Sequence, residues 1–205
     1  MNDKLLEWAV KIQSIAQSGL AYCKDEYDRE RYETLRNISA EMLSERTDIP
    51  DGKIKELFCG EKGYQTPKTD TRAAIFKDRK ILLVREKNGT WTLPGGWCEV
   101  NMSVAENTIK EVKEEAGLDV TAEKLIAVHD WKKHNVCNYI FGVIKIFILC
   151  RKTGGEFTEN LETSESAYFG RDELPYPLAT EKTSKEQIMM CFDANEDENW
   201  VARFE

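Results

Sequence analysis

The chain has 205 residues, 41% of them apolar, and a formal net charge of −8 from 29 basic and 37 acidic side chains. That length supports one good hydrophobic core with a small appendage, and the acidic balance argues against a broad nucleic-acid or anionic-membrane footprint. A small phosphorylated ligand stays compatible, because one local cation site outweighs a global charge.

The opening MNDKLLEWAVKIQ interleaves acids and has no long apolar run, so neither a signal peptide nor a membrane span is expected, and the cytoplasm is the expected location. Residues 4 to 22 read as an amphipathic helix through Leu5, Trp8, Ala9, Ile12, Ile15, Ala16 and Leu20. A second helix is expected from about Asp25 to Glu45, with Tyr32, Leu35, Ile38 and Met42 at similar spacing, and a short third one over 52–58. Three helices in about 60 residues make too small a core to stand alone. The expected domains are therefore a helical docking segment, 1–60, a glycine- and proline-punctuated linker, 61–68, and a main domain, 69–205.

From Thr69 the pattern changes to strands. Thr71–Phe76 and Lys80–Arg85 form an expected hairpin around a weak turn pair, Asp78-Arg79, and Trp91–Leu93 is a short strand. A helix follows: Ser103-Val104-Ala105-Glu106 has the form of a capping box, and Gly117 suits the left-handed stop. Further strands are expected at Leu125–Val128, Asn138–Cys150 and Ala167–Phe169, with an acidic loop from Glu156 to Glu165 before the last. A final helix over about Ser184–Asp193 presents Ile188, Met189 and Phe192. The fold class is α/β, a sandwich with a sheet between helices. The six cysteines are scattered without a C-x-x-C pair and read as free thiols. With only His129 and His134 in the chain, a structural zinc site is not expected.

Chemistry concentrates in WTLPGGWCEVNMSVAENTIKEVKEEAGL, residues 91 to 118. Glu111, Glu114 and Glu115 stand at i, i+3 and i+4 and project from one side of a helix, with Ala105, Ile109, Val112 and Ala116 opposite. Like charges so placed cost a few tenths of a kcal/mol per pair; a divalent cation would turn that repulsion into attraction.

This stretch resembles the signature of the Nudix hydrolases, G-x5-E-x7-R-E-U-x-E-E-x-G-U with U aliphatic. Gly96, Glu111, Val112, Glu114, Glu115, Gly117 and Leu118 match, and Pro94-Gly95 and Trp97 also look like the family. Met102 and Lys110 stand where the signature has its first glutamate and its arginine, and lysine lacks the planar fork. The resemblance implies a Nudix α/β/α sandwich with a mixed sheet beside a small helical domain. It also implies a Mg²⁺-dependent pyrophosphohydrolase, with Mn²⁺ as a substitute. Glu111, Glu114, Glu115 and the Gly96 carbonyl would hold metal, and Glu99 could cover part of the deficit left by Met102. The proton acceptor is open between the box glutamates and Glu162 or Glu165 in a neighbouring loop.

Across nearly the whole chain, the layout is similar to enzymes that cleave nucleoside diphosphates linked to another moiety, CDP-choline pyrophosphatases first and ADP-ribose pyrophosphatases next. Those enzymes form homodimers through the helical segment. Arg72 and Arg85, on the strands entering the box, are candidate phosphate or base contacts, and Trp131, Tyr139 and Phe141 candidate stacking aromatics, of which Trp131 is the foremost. A competing expectation is a non-catalytic nucleotide sensor, motivated by Met102 and Lys110. The acidic balance leaves nucleic acid an unpromising main substrate.

Overall fold

The computed structural model describes residues 4–45, 59–60, 62–136 and 141–205, so the short helix expected over 52–58, the start of the strand expected from Asn138, and Tyr139 lie outside the described residues. The chain divides into two compact units, Met1–Pro67 with Tyr139–Gly142, and Lys68–Asn138 with Val143–Glu205.

In the first unit, α1 (Lys4–Tyr22) and α2 (Glu26–Ser44) form an antiparallel hairpin. Asp25 caps α2 by accepting from the backbone of Tyr27 and Asp28. A small-residue seam joins the helices: Ala9 and Ala40 are fully buried, the Ser39 hydroxyl donates to the Ala9 carbonyl at 2.7 Å, and a Cβ at Gly19 would collide with the Tyr32 ring. Leu6 and Val10 pack, partly buried, against the seam, whereas Leu5, Trp8, Ile15 and Tyr22 of α1 are exposed.

The second unit is a mixed seven-stranded sheet in the order β3-β2-β1-β5-β4-β7, with β6 also paired to β2. Its strands are β1 (Lys68–Lys77), β2 (Lys80–Glu86), β3 (Trp91–Thr92), β4 (Leu118–Asp130), β5 (Val143–Gly155), β6 (Thr163–Phe169) and β7 (Arg203–Phe204). β1 and β5 run parallel, β2 is antiparallel to β1, β3 and β6, and β4 is antiparallel to β5. The weak turn does form: Asp78 and Arg79 both take positive φ, 51° and 62°, and close the β1–β2 hairpin. Alternate residues of β1 serve opposite faces. Ala73 and Ile75 pack with Val112 and Ala116 of α3 (Val104–Ala116), whereas Ala74 packs with Ile188 and Phe192 of α5 (Lys185–Glu196). The sheet therefore lies between two helices, an α/β/α sandwich.

β7 was not expected, β5 runs on past Cys150 to Gly155, and two other strands start elsewhere than expected. β4 starts at Leu118, directly after the helix stop, and runs through three irregularities in its pairing with β5, which break the alternation on which a sequence reading depends. β6 starts at Thr163, so Glu165 belongs to a strand rather than to the preceding loop.

Candidate active site

The site is assembled where α3 meets the glycine turn. Ser103 and Glu106 form a reciprocal capping box, and Gly117 stops the helix at φ 68°. Of the residues assigned inward by spacing, Val112 and Ala116 are buried, but Ala105 is exposed and Asn107 and Thr108 are buried near it. Asn107 ties three segments together. Its amide donates to the Thr71 hydroxyl at 2.9 Å on β1, and its carbonyl oxygen accepts from the Glu99 backbone at 3.1 Å. The turn itself lies on β1: the Thr71 amide donates to the Gly96 carbonyl and the Ala73 amide to the Pro94 carbonyl, both at 2.8 Å. A side chain at Gly95 would strike the Thr71 carbonyl, and one at Gly96 would come 2.6 Å from Glu111 Oε2.

The carboxylates occupy three environments. Glu115 is 7% exposed, its Oε2 accepts from the Gly95 amide at 2.8 Å, and burial pushes its pKa up to about 7 against the pull of Arg72 and that hydrogen bond. Glu111 is half-buried, and desolvation raises its pKa despite the cation beside it; Glu162 is close enough to add to the rise. Glu114 is exposed and pairs with Lys110 at 2.5 Å. Lys110 Nζ also lies 3.3 Å from both Glu99 and Glu111, and its hydrogen bond to Glu114 foremost raises its pKa. The lysine standing at the arginine position thus gathers Glu99, Glu111 and Glu114 around one ammonium.

Would this set accept a divalent ion? The donors are all oxygens, as Mg²⁺ prefers. The ammonium is a stand-in cation amid the acids, and the missing Cβ at Gly96 leaves space against Glu111. The Gly96 carbonyl keeps a lone pair beyond its bond from Thr71. Among the described residues no three His, Cys, Asp or Glu side chains already converge on one ion position; Lys110 and the Gly95 amide hold the acids instead. The residues fit the group.

Beneath the site lies a buried charge cluster. Arg72, expected at the ligand, is 4% exposed and grips Asp70 with two bonds, at 2.7 and 3.0 Å, while donating to the Leu93 carbonyl. Lys145, 2% exposed, donates to Asp70 at 2.8 Å and to the Lys182 carbonyl at 2.7 Å. Burial pushes the Asp70 pKa up, but the two cations override it and hold the acid below its ordinary value. The guanidinium that sequence placed on substrate is thus committed within the protein. Arg85 is exposed and lies 3.6 Å from Glu165 across the β2–β6 pair. Trp131, the expected stacking residue, opens α4 (Trp131–His134) and is 4% exposed. His129 is buried on β4, its ring stacked on His134 at 3.9 Å.

Four residues escaped the sequence reading. Asn160 donates to the Glu114 and Glu115 carbonyls and accepts from the Glu162 amide, and the Thr163 hydroxyl donates to the Glu115 carbonyl at 2.6 Å. These bonds satisfy the open end of α3 and place Glu162 next to it. Glu86 and Lys182 form an ion pair at the edge of the cluster, with Lys182 near enough to Glu115 to lower its pKa and Glu86 near enough to Arg72 to raise the guanidinium's. The only available signal was an asparagine three residues before a threonine in an acidic loop; Lys182 carries none.

Residues 67–191 match the family described as the NUDIX domain, and residues 3–58 match one described as a UDP-X-like, N-terminal oligomerisation domain. The chain belongs to the Nudix hydrolase family. It is 47% identical over 194 residues to the putative ADP-ribose pyrophosphatase YjhB of Bacillus subtilis, covering 94% of this chain and 93% of that one. Among solved structures, an ADP-ribose pyrophosphatase from Streptococcus suis is 53% identical, with a TM-score of 0.64 over 68% of this chain and 100% of that one. A UDP-X diphosphatase is 33% identical, with a TM-score of 0.64 and 98% coverage of both chains. Nudix hydrolases generally use divalent metal ions, in keeping with the donor set above.

Proposed function

We propose that this Nudix hydrolase cleaves the pyrophosphate bond of a nucleoside diphosphate linked to another moiety, releasing a nucleoside monophosphate and the phosphorylated moiety. ADP-ribose is the foremost substrate, as relatives at 47% and 53% identity carry that activity in their names; UDP- and CDP-linked compounds, CDP-choline included, are the next to test. The observation that carries the reading is the box glutamates at the glycine turn: Glu115 accepts from the Gly95 amide, Glu111 lies against Gly96, and the Lys110 ammonium joins Glu111 to Glu114. Glu111, Glu114 and Glu115 would hold Mg²⁺, or Mn²⁺ in its place, with the Gly96 carbonyl and Glu99 as additional donors. The bound ion supplies charge neutralisation for the diphosphate and acidifies water. Glu162, whose charge acts on Glu111, would take the proton from the attacking water, and Glu165 is less suited because it faces Arg85. Lys182 is placed to meet a phosphate oxygen in exchange for Glu86.

Incubation with ADP-ribose, a UDP-sugar and CDP-choline under Mg²⁺, with products identified by mass, tests the reading: AMP and ribose 5-phosphate are expected from the first. Tight binding without turnover of any of them would favour the sensor reading, which Lys110 among the carboxylates motivates. We also propose that residues 1–60 serve docking and homodimerisation, with 61–68 as linker and 69–205 as the hydrolase domain. The exposed Leu5, Trp8, Ile15 and Tyr22 support that role, and sedimentation equilibrium measures it. Among the described residues no helix is long and apolar enough to cross a membrane, and the described cysteines are free thiols, in keeping with a proposed cytoplasmic location.

A further inference from the structure

The helical unit contains a cavity of about 480 Å³, within the size range of small-molecule sites. Its lining is uneven in charge. Arg29 and Arg36, seven residues apart on α2 and so on one helix face, meet Lys62 from the following loop; Glu33 is the acid among the described lining residues, and Leu20 and Ala21 of α1 give an apolar wall. Three cations around one cavity are conspicuous in a chain of net charge −8. The side chains of Arg29, Arg36 and Lys62 form no ion pair or hydrogen bond among the described residues, although Glu33 stands between the two arginines along the helix.

Arg36 adds a second observation. Its Nε is buried and has no hydrogen-bond partner among the described residues, and an unmet buried donor on a charged group is costly. The opposite wall is held in place: the buried Gln17 amide donates to the Gly63 carbonyl at 3.1 Å, pinning the loop that carries Lys62 to α1. A preformed concave site with unpaired guanidinium and ammonium donors and an apolar side suits a phosphate attached to an organic body.

We propose that this cavity in the helical unit is a second ligand site, separate from the carboxylate site, that binds an organic phosphate of mononucleotide size. Calorimetric titration of the full-length protein with AMP in EDTA tests it. Without divalent ions the carboxylate site repels phosphate, so binding there is suppressed. Expected are one AMP per chain, affinity weakened at least about tenfold in Arg29→Ala/Arg36→Ala, and affinity within about twofold of wild type in Arg31→Ala, which removes an exposed arginine paired with Asp28. Inorganic phosphate and adenosine should each bind more weakly than AMP, since each lacks half of the recognised chemistry. Lys62→Glu, off the helices, should weaken AMP as well and serves if the double variant fails by circular dichroism. No measurable binding of AMP in EDTA, an equal loss in Arg31→Ala, adenosine binding as tightly as AMP, or binding abolished by Lys182→Ala would each overturn the proposal.

Discussion

Asp70→Asn tests the charge cluster under the active site without changing its shape. Asp70, Arg72 and Lys145 are all nearly inaccessible, and the single carboxylate answers both cations through three hydrogen bonds of 2.7 to 3.0 Å. The amide leaves two buried positive charges facing a neutral group, and presents an NH₂ where an acceptor is required. Breaking one partner of a buried pair costs about 3–5 kcal/mol. In a domain of this size each kcal/mol lowers Tm by roughly 2–4 °C, so a fall of about 6–20 °C is expected by thermal and urea unfolding at pH 7. The sign with pH follows from the depressed acid: its stabilisation is complete above the ordinary aspartate value of 3.8 and disappears as pH falls through the lower folded value. The variant's deficit should therefore shrink in strong acid. A loss below about 1 kcal/mol at pH 7 would refute the account of this cluster.

Lys110→Met removes the ammonium that occupies the acids, so half-saturation by Mg²⁺, read from thermal shifts, should fall about threefold to tenfold; an unchanged or higher value would count against the stand-in role. Lys182→Ala should raise KM for the pyrophosphate substrate about tenfold, and an unaltered KM would remove Lys182 from substrate binding. Burial, and then the neighbouring His134, pushes the His129 pKa from 6.5 down to about 4. The folded ring stays neutral while the unfolded one takes a proton, so stability should fall by at most about 3 kcal/mol as pH drops from 6.5 to 4. His129→Phe should flatten that part of the profile, and an identical slope in the variant would exclude His129 as its source.

The glutamate-bearing helix α3 was legible because its signals are local. Ser103 and Glu106 cap it, Gly117 ends it, and the spacing of Glu111, Glu114 and Glu115 does not depend on the rest of the chain. Both N-terminal helices were legible for the same reason, but the apolar stripe read on α1 is only partly buried: Ala9 and Ala16 pack inward as expected, whereas Leu5, Trp8 and Ile15 are exposed, and the close approach of Tyr32 at Gly19 needs the tertiary fold to be seen. The role of Arg72 was unreadable because it depends on Asp70, which parallel pairing of β1 with β5 joins to Lys145, seventy-five residues on. Lys182, Glu86 and Asn160 were hidden likewise, since their meaning comes from neighbours that only the tertiary fold supplies.

The central claim is that the box glutamates of this fold carry out metal-dependent pyrophosphate hydrolysis. Glu115→Gln tests it most directly, because the glutamine Oε1 can still accept from the Gly95 amide while the charge and the second acceptor oxygen are lost. With ADP-ribose at saturating Mg²⁺, kcat/KM is predicted to fall on the order of 1000-fold, about 4 kcal/mol of transition-state stabilisation. A folded Glu115→Gln protein that turns over within about threefold of wild type, well under 1 kcal/mol, would contradict the account.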